Sequence, residues 1–125
     1  MNRNEVEQVI QDFFDADYAG DADRMAISFH DDAEFFEYNA KRDALRKMSG
    51  AAFVDGFRNK PDDAPPPDYP RFNEILSIDF TGENTAVART RMRVRNMMFT
   101  DILCLMRING VWGIIVKIAS GVPVE

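Results

Sequence analysis

One histidine stands among the densest run of chemistry-bearing side chains in this 125-residue sequence, Phe29-His30-Asp31-Asp32-Ala33-Glu34. An imidazole beside carboxylates can serve as a general base near neutral pH, so His30 with Asp31 or Asp32 is a candidate catalytic pair. The plainer role is structural. His30 falls at the end of a predicted helix, where a cation suits the dipole and can hydrogen-bond backbone or carboxylate. His30, Asp31, Asp32 and Glu34 lack the i, i+4 helical spacing and a second histidine, so no metal is expected, nor any cofactor. Glu34 and Glu37 fall on opposite faces of one strand, which turns one of them outward. Arg89, Arg91, Arg93 and Arg95 alternate along another strand. Their guanidinium forks could hold an oxyanion, but only one element is basic and its arginines oppose the apolar side, so pairing on a solvent or dimer face suits them better. Keeping Met92 near Ile102 sets Arg93 across from Asp101 as an ion pair. Cys104, in an apolar strand with no base at hand, reads as a small buried hydrophobe.

The elements that position these groups are helices first and strands afterwards. Asn4 with Glu7 resembles a capping box, and Val6, Val9, Ile10, Phe13 and Phe14 follow at helical spacing up to Gly20. Asp21 caps a second helix from Ala22 to Phe29, and Glu34 to Tyr38 forms a strand. Residues 41–48 suit a short strand, and Ser49 suits the N-cap of a third helix carrying Ala52, Phe53 and Phe57. Pro61 to Pro70 is an exposed loop. Phe72, Leu76, Ile78 and Phe80 share one face of the next strand. Thr81-Gly82-Glu83-Asn84 turns the chain, and Ala86, Ala88, Thr90, Met92 and Val94 share a face of the strand that follows. Asn109-Gly110 joins two long apolar runs, a strong hairpin signal, and apolar residues on both faces of each run place the hairpin in mid-sheet, covered on two sides. Trp112 faces either side, depending on the length of the turn.

The composition sets outer limits. At 46% hydrophobic residues, residues 1–125 are expected to form one domain. A formal charge of −6 works against nucleic acid or an anionic membrane as partner. A single cysteine, a polar start without a signal-type apolar segment, and no run long enough to span a membrane lead to the expectation of a cytoplasmic protein.

The order of these motifs resembles the nuclear transport factor 2-like superfamily, also called ketosteroid isomerase-like or SnoaL-like. Ala19-Gly20-Asp21 followed by Phe29-His30-Asp31-Asp32-Ala33-Glu34-Phe35 is similar to the segment joining its two helices to the first strand. Ile75-Leu76-Ser77-Ile78-Asp79, Thr85-Ala86-Val87-Ala88, and Asp101 to Leu105 through Gly110-Val111-Trp112 to Lys117 are closer to its putative lumazine-binding branch. The resemblance implies an α+β fold, a cone-shaped curved antiparallel sheet packed against N-terminal helices. It also implies a pocket between sheet and helices and a homodimer through the outer sheet face. The branch name does not identify the ligand.

By the same resemblance Glu37 takes the position of the isomerases' carboxylate base, and a carboxylate in an apolar cup titrates high enough to move a proton next to a carbonyl. Phe13 replaces their oxyanion-hole tyrosine, and Cys104 aligns with their acidic donor. Neither is an adequate donor, which leaves Tyr18 or Tyr38 to substitute. Ten phenylalanines and seven methionines fit an adaptable apolar site. Phe13, Tyr18, Phe36, Tyr38, Phe53, Phe57, Met92, Cys104 and Trp112 are the expected pocket lining. The expected partner is a small apolar or aromatic molecule, and the alternative to simple binding is a small isomerase, dehydratase or cyclase using Glu37 or a His30/Asp pair. Leu103, Leu105 and Ile115 are expected on the outer face, where a second subunit would cover them.

Overall fold

The structure, a computed structural model, describes residues 2–61 and 63–124. Helix α1 (Asn2–Ala19) begins before the expected Asn4 start, and its inward face carries Val6, Ile10, Phe13, Phe14 and Ala16, all buried. Gly20 ends it at φ +69°, a left-handed conformation that glycine adopts without strain. Asp21 then caps α2 (Ala22–Ile27), its carboxylate accepting from the Arg24 N–H at 3.1 Å. This helix stops before Phe29, which instead opens strand β1 (Phe29–Asn39). Strand β2 (Ala44–Ser49) follows, and the Ser49 hydroxyl accepts from the Ala52 N–H at 3.1 Å to start α3 (Gly50–Arg58), as expected of an N-cap serine.

The second half of the chain supplies β3 (Asn73–Phe80), β4 (Thr85–Val94), β5 (Met97–Ile108) and β6 (Val111–Pro123). The six strands form one sheet in the order β2-β1-β6-β5-β4-β3, with the hairpin β5–β6 at its centre as expected. Every pairing is antiparallel except β1 with β6, so the sheet is mixed; that junction joins the first long strand to the last. Asn109 and Gly110 both have positive φ, +52° and +79°, and close a two-residue turn with Ile108 opposite Val111. The helices cover one face, where Met25, Phe29, Phe35, Val54, Ile78, Leu103, Leu105, Trp112 and Ile114 complete the core begun by α1. Burying each large apolar side chain contributes about 1.5–3 kcal/mol.

Irregularities in the ladder decide which side chains reach that covered face. A bulge at Leu76 leaves it 40% exposed and turns Ile75 and Ile78 inward, correcting the simple alternation expected for this strand. A two-residue turn at Arg95-Asn96, with Arg95 at φ +55°, sets Met92 opposite Phe99 and Thr90 opposite Asp101. The expected Arg93–Asp101 pair therefore does not form, because the register differs by three residues and an odd shift exchanges the faces. Leu103 and Leu105 lie buried on the helix side, not on the outer face. The outer face carries Phe36, Ile102, Cys104, Met106, Val116 and Ile118, flanked by Arg89 and Arg91. No described helix is long and apolar enough to cross a membrane.

Candidate functional site

A cavity of about 1100 Å³ opens between the covered face of the sheet, the C-terminal end of α1, α3 and the proline-rich loop. The loop is tied over it by aromatic and polar contacts. The Tyr18 hydroxyl donates to the Tyr69 carbonyl at 2.9 Å, and the two rings meet edge to face at 5.4 Å. Arg71 stacks on the Tyr18 ring at 5.4 Å while pairing with Asp15, and Arg93 lies 5.8 Å from the Tyr69 ring centre. Phe53 and Phe57 from α3, with Met92 and Phe99 from the sheet, give the cavity its apolar wall.

Its floor is polar. Glu37, Ala119, Asp101 and Thr90 form one row across β1, β6, β5 and β4. Glu37 and Asp101 thus stand two strand spacings apart, roughly 10 Å between backbones, with only the methyl of Ala119 between them. In the adjacent row Lys117 lies between Phe35 and Leu103. Its Nζ is 5.0 Å from the ring centres of both Phe35 and Phe53, a cation–π position. Asp17 completes the group from α1: it follows Val6, Ile10 and Phe13 along the buried stripe of that helix and lines the same cavity.

Asp101 is 1% exposed, and neither of its carboxylate oxygens accepts a hydrogen bond from a described residue. Burial pushes its pKa up to about 6; Lys117 opposes the rise, while the charges of Asp17 and Glu37 add to it. Burial likewise raises Asp17 to about 6 against the pull of Lys117 and Arg95. Glu37 faces Arg46 across the β1–β2 ladder, Oε2 to Nη1 at 3.6 Å.

Of the residues singled out in the sequence, Glu37, Tyr18, Phe53, Phe57 and Met92 meet at this cavity. The others do not. Phe13 is sealed in the core against Phe14 and Phe29. Phe36, Tyr38 and Cys104 project from the opposite face; the Tyr38 hydroxyl bonds Asp43 at 2.8 Å, and partial burial raises the Cys104 thiol. Trp112 is buried on the helix side, away from the cavity, with its ring 5.9 Å from Phe80. His30 sits at the start of β1, not on a helix, and its Nδ1 accepts from the Asp32 N–H at 3.2 Å. No group of metal-ligating side chains forms among the described residues. Asp17 and Lys117 carry no site role in the sequence pattern, and Asp101 enters it only as the expected partner of Arg93. Their signal was a lone charge inside an apolar strand or on the apolar stripe of a helix.

Residues 1–119 match the family described as "Putative lumazine-binding". Among solved structures, the chain is similar to an NTF2-like protein of unknown function from Shewanella baltica OS155, at 21% identity and TM-score 0.83, covering 98% of this chain and 94% of that one. It is also similar to an NTF-2-like protein of unknown function from Silicibacter pomeroyi DSS-3, at 19% identity and TM-score 0.80, covering 97% and 96%. A ketosteroid isomerase-like protein from Erwinia carotovora atroseptica SCRI1043 shares the fold at 11% identity and TM-score 0.73, covering 97% and 96%. Comparison with curated proteins returns no match.

Proposed function

We propose that this chain, which belongs to the family described as "Putative lumazine-binding", is a small-molecule-binding protein whose ligand enters the cavity between sheet and helices. The observation that carries this reading is Asp101, 1% exposed, lining the cavity with no protein donor on either oxygen. A buried carboxylate without a partner costs several kcal/mol, so the fold retains a group that a ligand would satisfy. The volume is that of a site for a compact organic molecule, and Phe53, Phe57, Tyr69 and Phe99 supply apolar and aromatic contact.

Gly56 gives a clean test. It lines the cavity, and a Cβ built there meets nothing within 4 Å. Gly56→Trp should therefore fill the space while removing a helix-interior glycine. The neutral dye N-phenyl-1-naphthylamine should bind wild type saturably and fail to bind Gly56→Trp, whose melting temperature should be no lower than that of wild type. Equal binding by both would refute the location.

A second reading is favoured by one observation: Glu37, facing Arg46, and Asp101, which takes up a proton near pH 6, face the same cavity from a single row of the sheet. That arrangement suits proton transfer in a small isomerase, dehydratase or cyclase, with Glu37 as base and Asp101 as acid. Binding remains the better supported function, since Glu37 already faces Arg46. The proposal extends to a homodimer through the outer face, where Ile102, Met106 and Ile118 are 38%, 37% and 44% exposed in one apolar band.

A further inference from the structure

The floor of the cavity leaves opposite hydrogen-bonding groups unused side by side. Asp101 offers two acceptor oxygens without a donor, and the Lys117 ammonium, two residue pairs along the β5–β6 ladder and so on the same face, makes no ion pair within 4 Å and no side-chain hydrogen bond among the described residues. Between the carboxylates of Asp101 and Glu37 the row is lowered to the methyl of Ala119, leaving a slot into which the edge of a flat molecule can descend. Aromatic faces from Phe53, Phe57 and Tyr69 border the space above it. A purely apolar ligand would desolvate Asp101 and Lys117 further and satisfy neither. A simple organic cation would satisfy Asp101 but meet Lys117 as a like charge, and a simple anion would do the reverse.

We propose that the cavity selects a planar, neutral ligand bearing an N–H beside a C=O, a cyclic amide or lactam edge, with the N–H donating to Asp101 and the carbonyl accepting from Lys117. This rests on the binding reading above and adds the ligand's chemical class. Such an edge satisfies both polar groups at once, and its ring fits against the aromatic wall. Ionised Asp101 is the stronger acceptor for that N–H, because a charge-assisted hydrogen bond is stronger than a neutral one. The groups facing it from the surrounding elements are Asp17 on α1, Glu37 on β1, Arg46 on β2, Arg93 on β4 with Arg95 in the following turn, Lys117 on β6, and Lys60 and Asp68 near the loop. Affinity for the lactam should therefore fall as pH drops through about 6, where Asp101 takes up its proton.

The test compares 2-quinolone with N-methyl-2-quinolone as displacers of N-phenyl-1-naphthylamine from wild type, Asp101→Leu and Lys117→Met. Wild type should bind 2-quinolone at least ~10-fold more tightly, because the N-methyl compound leaves the buried carboxylate unpaired. The preference should disappear in Asp101→Leu, and Lys117→Met should weaken both compounds by about the same factor, since both keep the carbonyl. Equal affinity of the two compounds for wild type, with dye still displaced, overturns the lactam assignment and leaves the cavity as a binding site. Failure of dye and both quinolones to bind overturns both. The wild-type comparison needs no substitution, so it decides the matter even if a variant fails to fold.

Discussion

Replacing Asp101 by asparagine should change how stability depends on pH, by an amount that follows from its burial. In the folded chain its pKa is raised from 3.8 to about 6. Between those values the folded state holds a proton that the unfolded state has released. Stability from this group is therefore complete below pH 4 and is lost as pH rises through 6. A shift of about two units corresponds to about 3 kcal/mol, or roughly 10 °C in melting temperature for a domain of this size. The asparagine amide brings its own cost, about 1–3 kcal/mol for unpaired donors, but that cost does not depend on pH. Asp15, whose pKa is lowered first by its hydrogen bond to Arg71, contributes in the opposite sense, and Asp17 in the same sense, in both proteins. The informative quantity is thus the difference between variant and wild type, measured by thermal melts from pH 4 to 7.5. Asp101→Asn should gain on wild type steadily up to about pH 7, by roughly 10 °C in total. A difference that stays constant within ~2 °C would mean that Asp101 is solvated, and the argument from its burial would fail.

Trp112→Ala should cost ~3–5 kcal/mol, read from thermal or denaturant unfolding, because the indole is 4% exposed and packs edge to face on Phe80; a loss under ~1 kcal/mol would contradict its placement in the core. Light scattering at micromolar concentration should report twice the chain mass, and Ile118→Lys, at the centre of the outer apolar band, should shift the population to monomer; a monomeric wild type refutes the dimer. The protein should not isomerise a Δ5-3-ketosteroid, since Glu37 faces Arg46 and the Tyr18 hydroxyl is already given to the Tyr69 carbonyl. Turnover lost in Glu37→Gln would replace the binding reading with proton transfer.

The sequence made the helices and the central hairpin legible because their signals are local. Asp21 and Ser49 cap where their side chains accept from the third residue on, and Asn109-Gly110 supplies the two positive φ values that a tight turn needs. The site was only half legible, for reasons of register. The turn at Arg95-Asn96 places an arginine at positive φ with no glycine to announce it, and one odd slip there moved Asp101 from the cavity to the outer face in the expected pairing. The ladder also shifts between Cys104 and Leu105 opposite Ile115, which keeps Trp112 and Lys117 on the same side although they are an odd five positions apart. Without that bulge, strict alternation opposes them. Helical spacing did reach Asp17, but a carboxylate on an apolar stripe reads as an exception until the cavity beside it is seen.

The central claim, that a small molecule occupies the cavity floored by Asp101 and Lys117, is tested most directly by mapping amide chemical shifts of the labelled protein during titration with N-phenyl-1-naphthylamine. The account predicts saturable changes concentrated at Asp17, Glu37, Phe53, Asp101 and Lys117, with Phe36, Ile102 and Ile118 on the opposite face unmoved. Changes centred on Phe36, Ile102 and Ile118, or none at saturating dye, would contradict it.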